Sequence, residues 1–324
     1  MQTALVTSLG STAGDIVIKK LKAYGMRVIG CSIHPKEWLA DALMTDDYYV
    51  CPRADSEEFL PFLYDVCERE QVNFIFPLID PEVDLLNDNR AWFEDHNVTV
   101  CVSPKTALDI IRDKKRLADF IAENCPDTVS IPTEYLRDLP EMPDWGFPLV
   151  CKPCNGRSSQ GLTYVHNQAE WDALVATADM DVYIVEPFVK GPICMVEIVR
   201  DPIEGKVVAT TRQELLSTPH CLALTVRSYS EPALEEAAKK LANALGVKGN
   251  VNFEYLRDDQ GVYHFVECNP RFSAGTEFTV MSGYDVVTNH IRVFEGKPID
   301  DFTFECPRII ARKYEEYETL VERD

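Results

Sequence analysis

The sequence is short of positive charge. Its 324 residues carry 32 Lys and Arg against 53 Asp and Glu, a formal net charge of −21. A surface of that sign repels phosphate backbones and argues against a nucleic-acid partner. A site for a phosphorylated ligand must therefore assemble its own local cations. Long apolar runs are also missing. Nothing approaches the ~18 consecutive apolar residues of a membrane-spanning helix. The opening MQTALVTSLG lacks the basic segment and long apolar core of a secretory signal. The expectation is a cytoplasmic protein without a membrane partner. The six histidines are dispersed, with no HxxxH or HExxH, which argues against a zinc centre. Of 11 cysteines, Cys151 and Cys154 alone form a CxxC. With no second CxxC, and a chain too large for a disulfide scaffold, most of the cysteines read as reduced, buried, small apolar side chains. The sequence has no GK[ST] to complete a P-loop, no internal repeat and no low-complexity segment.

What is present is globular composition, 46% hydrophobic and 26% charged, long enough for two or three sub-domains. The first hundred residues alternate strand and helix. Ala4–Thr7 is an apolar run, Asp15–Tyr24 has helical spacing, and Arg27–Ser32 is a second strand. Ser56 can cap a helix running through Gln71, and Asn73–Pro77 and Val98–Val102 read as further strands. Such βα alternation predicts a parallel sheet flanked by helices. A helical stretch follows over Ala107–Asn124. From about Trp145 the texture is strands broken by Gly and Pro, with one helix capped by Ser230, opened by Pro232 and closed by Gly246. The charged tail, Tyr314–Asp324, reads as a surface helix or a frayed end.

Three segments carry chemistry. Val266-Glu-Cys-Asn-Pro-Arg271 ends a strand. Glu267 and Asn269 are two residues apart and share a face, offering hard oxygen ligands suited to Mg²⁺, and Arg271 can grip a phosphate. Asn252 and Glu254 share a face of the preceding strand, and hairpin pairing would set it beside Glu267. Taken singly, this motif is equally a strand ending in an Asn-Pro turn. Lys152 on a strand precedes a loop with Gly156, Ser158, Ser159 and Gly161, whose backbone N–H groups can approach phosphate oxygens. Tyr183-Ile-Val-Glu-Pro-Phe-Val-Lys-Gly191 runs a strand into a hinge whose backbone can meet an adenine edge. Gly10-Ser-Thr-Ala-Gly14 is not a GxGxxG fingerprint, so a nicotinamide cofactor is not expected.

The order and spacing of these segments resemble the ATP-grasp superfamily, and most closely its carbamoyl-phosphate-synthase-like branch with its small carboxylate–amine ligases. The resemblance spans nearly the whole chain. It implies an α/β architecture in three parts: a Rossmann-like pre-ATP-grasp domain over 1–103, a small lid subdomain over 104–182, and a C-terminal subdomain with the metal site over 183–324. Phe76-Pro-Leu-Ile-Asp-Pro-Glu82 is similar to a loop that such proteins turn toward the active site.

Carried over by residue, the resemblance gives Lys114 and Lys152 to ATP, and makes Asn155, Gly156, Ser158, Ser159 and Gly161 the phosphate lid. Glu186, Phe188 and Val189 would line the adenine pocket. Glu267, Asn269 and Asn252 would hold Mg²⁺, with Mn²⁺ as a substitute. Arg271, Arg212 and Lys152 would act on the transferring phosphoryl group. Ile193 stands where relatives place an acid on the ribose, and Glu197 is the nearest acid. The implied activity is an ADP-forming carboxylate–amine ligase working through an acyl phosphate on small molecules, with a homodimer as the assembly. The alternatives are a synthase-like phosphotransferase on bicarbonate or carbamate, and a nucleotide-binding sensor without turnover.

Overall fold

Thr3-Ala-Leu-Val6 has no exposed member, and a strand covered on both faces belongs in the middle of a parallel sheet. The computed structural model, which describes residues 1–321 apart from 140, 158, 159, 220 and 221, places it there. The N-terminal strands are β1 (Thr3–Val6), β2 (Arg27–Ser32), β3 (Asp47–Val50), β4 (Phe74–Phe76) and β5 (Thr99–Val100). They form one parallel sheet in the order β3-β2-β1-β4-β5. The Gly14–Ala23 helix covers one face with Val17, Ile18 and Leu21. Helices Phe59–Arg69 and Asp80–Asp88 cover the other, with Leu63, Val66, Val83 and Leu86 among the contacts.

The rest of the chain builds two further sheets, antiparallel except for one edge strand of the larger, which runs parallel to its neighbour. β6 (Val129–Ser130) joins the larger one at its edge. The small sheet holds β7 (Glu134–Tyr135), β8 (Leu149–Pro153), β9 (Thr163–Val165) and β10 (Tyr183–Pro187), in the order β7-β10-β8-β9. The large sheet holds β11 (Ile193–Asp201), β12 (Lys206–Ser217), β13 (Ala223–Tyr229), β14 (Gly249–Arg257), β15 (Tyr263–Asn269) and β16 (Arg308–Ala311). Its order is β16-β13-β12-β11-β14-β15-β6. The helix Pro232–Leu245 packs Leu234, Ala238, Leu241 and Leu245 on one face of it.

The structure departs from the sequence reading in several places. The 107–124 helix is two helices, Lys105–Ile111 and Lys114–Asn124. The break occurs because Asp113 leaves the helical region and accepts from the Arg116 N–H at 2.8 Å, capping a new helix. Glu231, not Ser230, occupies the N-cap of the Pro232–Leu245 helix, and Glu235 reaches back to its N–H at 3.1 Å. The described part of the tail, 314–321, is neither helix nor strand. β13, β16 and the helices Thr276–Met281 and Val286–Glu295 lay outside the sequence reading. The sheets also group the chain differently from the 104–182 division. β10 belongs with the small sheet, and the 105–124 helices share the large sheet's core.

One helix ties the halves together. Val286, Val287, Ile291 and Val293 pack among side chains of β1, β2, β4 and of β11 and β12. His290 on that helix accepts the Asn250 N–H at 2.7 Å and meets the Cys101 carbonyl at 3.1 Å. Among the described residues nine cysteines are buried and free, and Cys306 is exposed and free. No described helix is long and apolar enough to cross a membrane.

Candidate active site

The large sheet supplies a floor. Side chains alternate across a strand, so Asn252 and Glu254 of β14 share the face that Glu267 and Asn269 present from β15. The register makes them direct partners, Asn252 opposite Asn269 and Glu254 opposite Glu267. All four line a cavity of about 330 Å³. From β11 and β12 the same cavity receives Ile193, Met195, Arg212 and Glu214. Burial first, and then the nearby Glu267 and Glu214, push the Glu254 carboxyl up to about 8 against the pull of Lys152 and Lys114.

The small sheet supplies the opposite wall. Lys152 of β8 stands opposite Ile184 of β10, and its ammonium is 2.6 Å from Glu186. Thr133 also donates to Glu186, at 3.2 Å. Lys114, in the first turn of its helix, donates to the Gly156 carbonyl at 2.8 Å and lies 3.6 Å from Glu267. Lys114, Lys152, Gly156, Gln160 and Leu162 all line the 330 Å³ cavity. Asn155 borders a smaller adjoining cleft with Lys114, Glu267 and Asn269. Gly161 turns the loop at a φ of +72°, where a Cβ would lie 2.9 Å from Pro153. Ser158 and Ser159 fall outside the described residues.

The N-terminal domain closes the far end. Asp80 accepts from Arg271 Nε at 3.0 Å and Nη2 at 2.7 Å, and from Arg112 at 2.8 Å. Burial would raise the Asp80 carboxyl, but Arg271 and Arg112 outweigh it and hold it down to about 2. Asp84, one turn on, pairs with Arg112 and with Arg157 of the Gly loop. Sequence reasoning placed this segment near the site but did not find its partners. Asp80 and Arg112 are 32 residues apart, and no local spacing announces the pair.

Several predicted residues sit elsewhere than expected. Glu197 is a correction. It shares a face with Ile193 and Met195 but lies deeper, roofed by Ser273, and is 2% exposed. It accepts from Arg212 at 2.9 Å, Asn250 at 2.8 Å, Asn252 at 3.1 Å and Ser273 at 3.0 Å. Its carboxylate is saturated and covered, so it is closed to a ribose hydroxyl. Arg212 borders the cavity while committed to Glu197, Thr279 and Ser273. Asn252 gives its amide to Glu197, and its buried Oδ1 has no partner among the described residues. Phe188 and Val189 lie off the cavity wall, and Phe188 packs edge-on against Tyr164. Glu254 is the residue the sequence reading left out of its ligand set. The signal was its two-residue spacing from Asn252.

Comparison with known proteins agrees with this layout. Residues 5–101 match the PylC-like N-terminal domain. Residues 112–302 match the ATP-binding domain of the carbamoyl-phosphate synthase L chain. Biotin carboxylase from Campylobacter jejuni, solved with β-γ-ATP, superposes with a TM-score of 0.79 at 21% identity, over 96% of this chain and 75% of that one. The biotin carboxylase domain dimer of Hydrogenobacter thermophilus 2-oxoglutarate carboxylase, solved with MgADP, ADP and bicarbonate, gives 0.79 at 16% identity, over 96% and 74%. N5-carboxyaminoimidazole ribonucleotide synthetase from Thermotoga maritima gives 0.72 at 18% identity, over 95% and 79%. The structural likeness establishes a shared fold, while the family match covers well over half of the sequence. The chain is a carbamoyl-phosphate-synthase-like member of the ATP-grasp superfamily, an enzyme family of ATP-dependent ligases, carrying a PylC-like N-terminal domain.

Proposed function

We propose that this protein is an ADP-forming carboxylate–amine ligase, which activates a carboxylate as an acyl phosphate and passes it to an amine. One observation carries the reading. Lys114, Lys152 and Arg271 face the opposed carboxylates Glu254 and Glu267 across a single cavity. A carboxylate attacking a γ-phosphate brings two anions together, and this arrangement concentrates cations where that charge gathers.

The residues fit a magnesium ion. Glu254, Glu267 and Asn269 are hard oxygen donors, the two carboxylates repel each other, and the buried Asn252 Oδ1 has no partner among the described residues. No three His, Cys, Asp or Glu converge on a metal site among the described residues, so nucleotide oxygens and water would complete the shell. Bound there, Mg²⁺, or Mn²⁺ in its place, would neutralise phosphoryl charge.

The chain's own residues do the rest. Lys152 and Lys114 bind phosphate oxygens. Asn155, Gly156 and Gly161 of the Gly loop cover them and keep water from the acyl phosphate. The backbone of the hinge after Glu186 takes the adenine edge. Arg271, aimed by Asp80, stabilises the transferring group, and Arg212 adds positive potential beneath it. The acceptor enters from a second cavity of about 770 Å³, between the Gly10–Thr12 loop and residues 311–317. Asp41 and Glu277 on its wall suit an ammonium group. The reading includes a homodimer, as the Hydrogenobacter domain is described, and a cytoplasmic location.

The test is Mg-dependent ADP release with hydroxylamine as nucleophile, screened over amino acids, small carboxylic acids and bicarbonate. ADP release with one organic carboxylate, lost in Glu267→Gln, supports the ligase. Release with bicarbonate alone favours a synthase-like phosphotransferase, a reading motivated by the bicarbonate in the Hydrogenobacter structure. ATP binding without turnover on any acid would sink both.

A further inference from the structure

The cavity floor carries three carboxylates, and two suffice for a divalent cation. Glu254 and Glu267 form one row, directly opposed, with Met195 and Arg212 continuing it across β11 and β12. Glu214 lies outside that row. Cys194 pairs with Gln213, so the next step of the antiparallel ladder sets Glu214 against Ile193. Ile193 opposes Leu256 on its other side. This second row is two residues, roughly 7 Å, nearer the hinge. Glu214 is therefore set apart from the cation row, yet it lines the same cavity.

Its neighbours define what it can take. Ile193 and Met195 are apolar and offer no hydrogen bond. Ser217 donates to Glu214 Oε2 at 2.5 Å, and no described residue donates to Oε1. Burial holds the carboxyl above its ordinary range, against the pull of Ser217 and Arg212. A half-buried carboxylate with an open acceptor gains from a neutral hydroxyl donor, which adds no charge beside Arg212. A nucleotide with its base at the hinge and its phosphates at the Glu254–Glu267 row puts its sugar over the Ile193–Glu214 row.

We propose that Glu214 binds the ribose hydroxyls of the nucleotide and makes the site select ribonucleotides over deoxyribonucleotides. The assignment rests on the ATP reading above. It makes Glu214 a specificity residue on β12, whereas the acid sought on β11 is replaced there by Ile193.

The experiment is calorimetric titration of ATP and of 2′,3′-dideoxy-ATP, with Mg²⁺, into the wild-type protein, Glu214→Gln and Glu214→Ala. Wild type is expected to bind ATP about tenfold more tightly than the dideoxy analogue. Both variants should lose that discrimination, with dideoxy-ATP affinity unchanged. Glu214→Ala with Ile193→Glu, which moves the carboxylate across the strand pair, should regain it. Equal weakening of both nucleotides by Glu214→Gln, or discrimination that persists without Glu214, overturns the assignment and leaves ATP binding standing. Failure of the wild type to bind ATP removes the nucleotide reading and this assignment with it. Thermal unfolding of each variant separates misfolding from lost recognition. A Gln variant that is folded and still discriminates counts against the proposal.

Discussion

Glu254 and Glu267 are directly opposed partners on neighbouring antiparallel strands, two carboxylates facing one cavity. The nearest ammonium to Glu267 is Lys114, at 3.6 Å. The pair is a like-charge contact that a divalent cation would relieve. Glu254→Gln and Glu267→Gln should each lower Mg-dependent ADP release on the order of 100-fold. In metal-free neutral buffer Glu254→Gln should melt a few degrees higher than wild type, because burial and the neighbouring Glu267 make the wild-type carboxyl take up a proton on folding, a cost the amide does not carry. Scanning calorimetry with and without Mg²⁺ checks both expectations. A metal-induced stabilisation as large in the variant as in wild type would count against the pair as a cation site.

Glu82 gives a pH dependence away from the cation row. It is 2% exposed and accepts from Thr7 at 2.5 Å and Ser8 at 2.8 Å. Burial raises its carboxyl to about 7, against those donors. The native state therefore holds a proton that the unfolded chain, near 4.5, has released. This group's contribution to stability is full below about 4.5 and is lost as pH rises toward 7. Glu82→Gln should flatten that limb of a urea-unfolding series measured against pH.

His290 acts on the opposite limb. It is 3% exposed, and burial lowers its ring from 6.5 to about 3, so it is neutral in the native state. A lowered histidine favours the fold above the unfolded value of 6.5, and the advantage declines as pH falls toward 3. His290→Leu should flatten the acid limb. It should also cost about 2–4 kcal/mol at neutral pH, since the Asn250 N–H and the Cys101 carbonyl lose their partner. Urea denaturation at several pH values measures both effects.

Asp80 orients Arg271 from the other domain. Asp80→Asn keeps the shape but removes the charge shared with Arg112. Turnover should fall about tenfold with little change in nucleotide Kd, because Arg271 loses its aim rather than the pocket its shape. Steady-state kinetics beside calorimetry distinguish this from lost binding. Equal losses in kcat/KM and affinity would identify a purely structural role.

Much of the site was readable locally because strand alternation is local. Glu267 and Asn269, or Asn252 and Glu254, share a face by spacing alone, and a hairpin brings them together. Lys152 was found by its place on the strand before the Gly loop, and Lys114 through the family resemblance. Glu197 went wrong because spacing shows which face a side chain takes, not how deep it lies, and the Ser273 roof comes from 76 residues away. The split at Arg112-Asp113 was missed because the apolar spacing continues through it, while the break is made by Asp113 turning out of the helix to cap the Arg116 N–H.

The sequence by itself determined the parallel N-terminal sheet, the strand-rich remainder and the metal-type motif, since each follows from periods of two or 3.6 residues and from short-range capping. Tertiary structure alone decided that Lys152 of the small sheet and Lys114 of a helix face the carboxylates of the large sheet, that Asp80 governs Arg271, and that Glu214 stands beside Ile193. These are relations between segments tens to hundreds of residues apart. They are set by how buried faces stack, and no local pattern encodes that stacking.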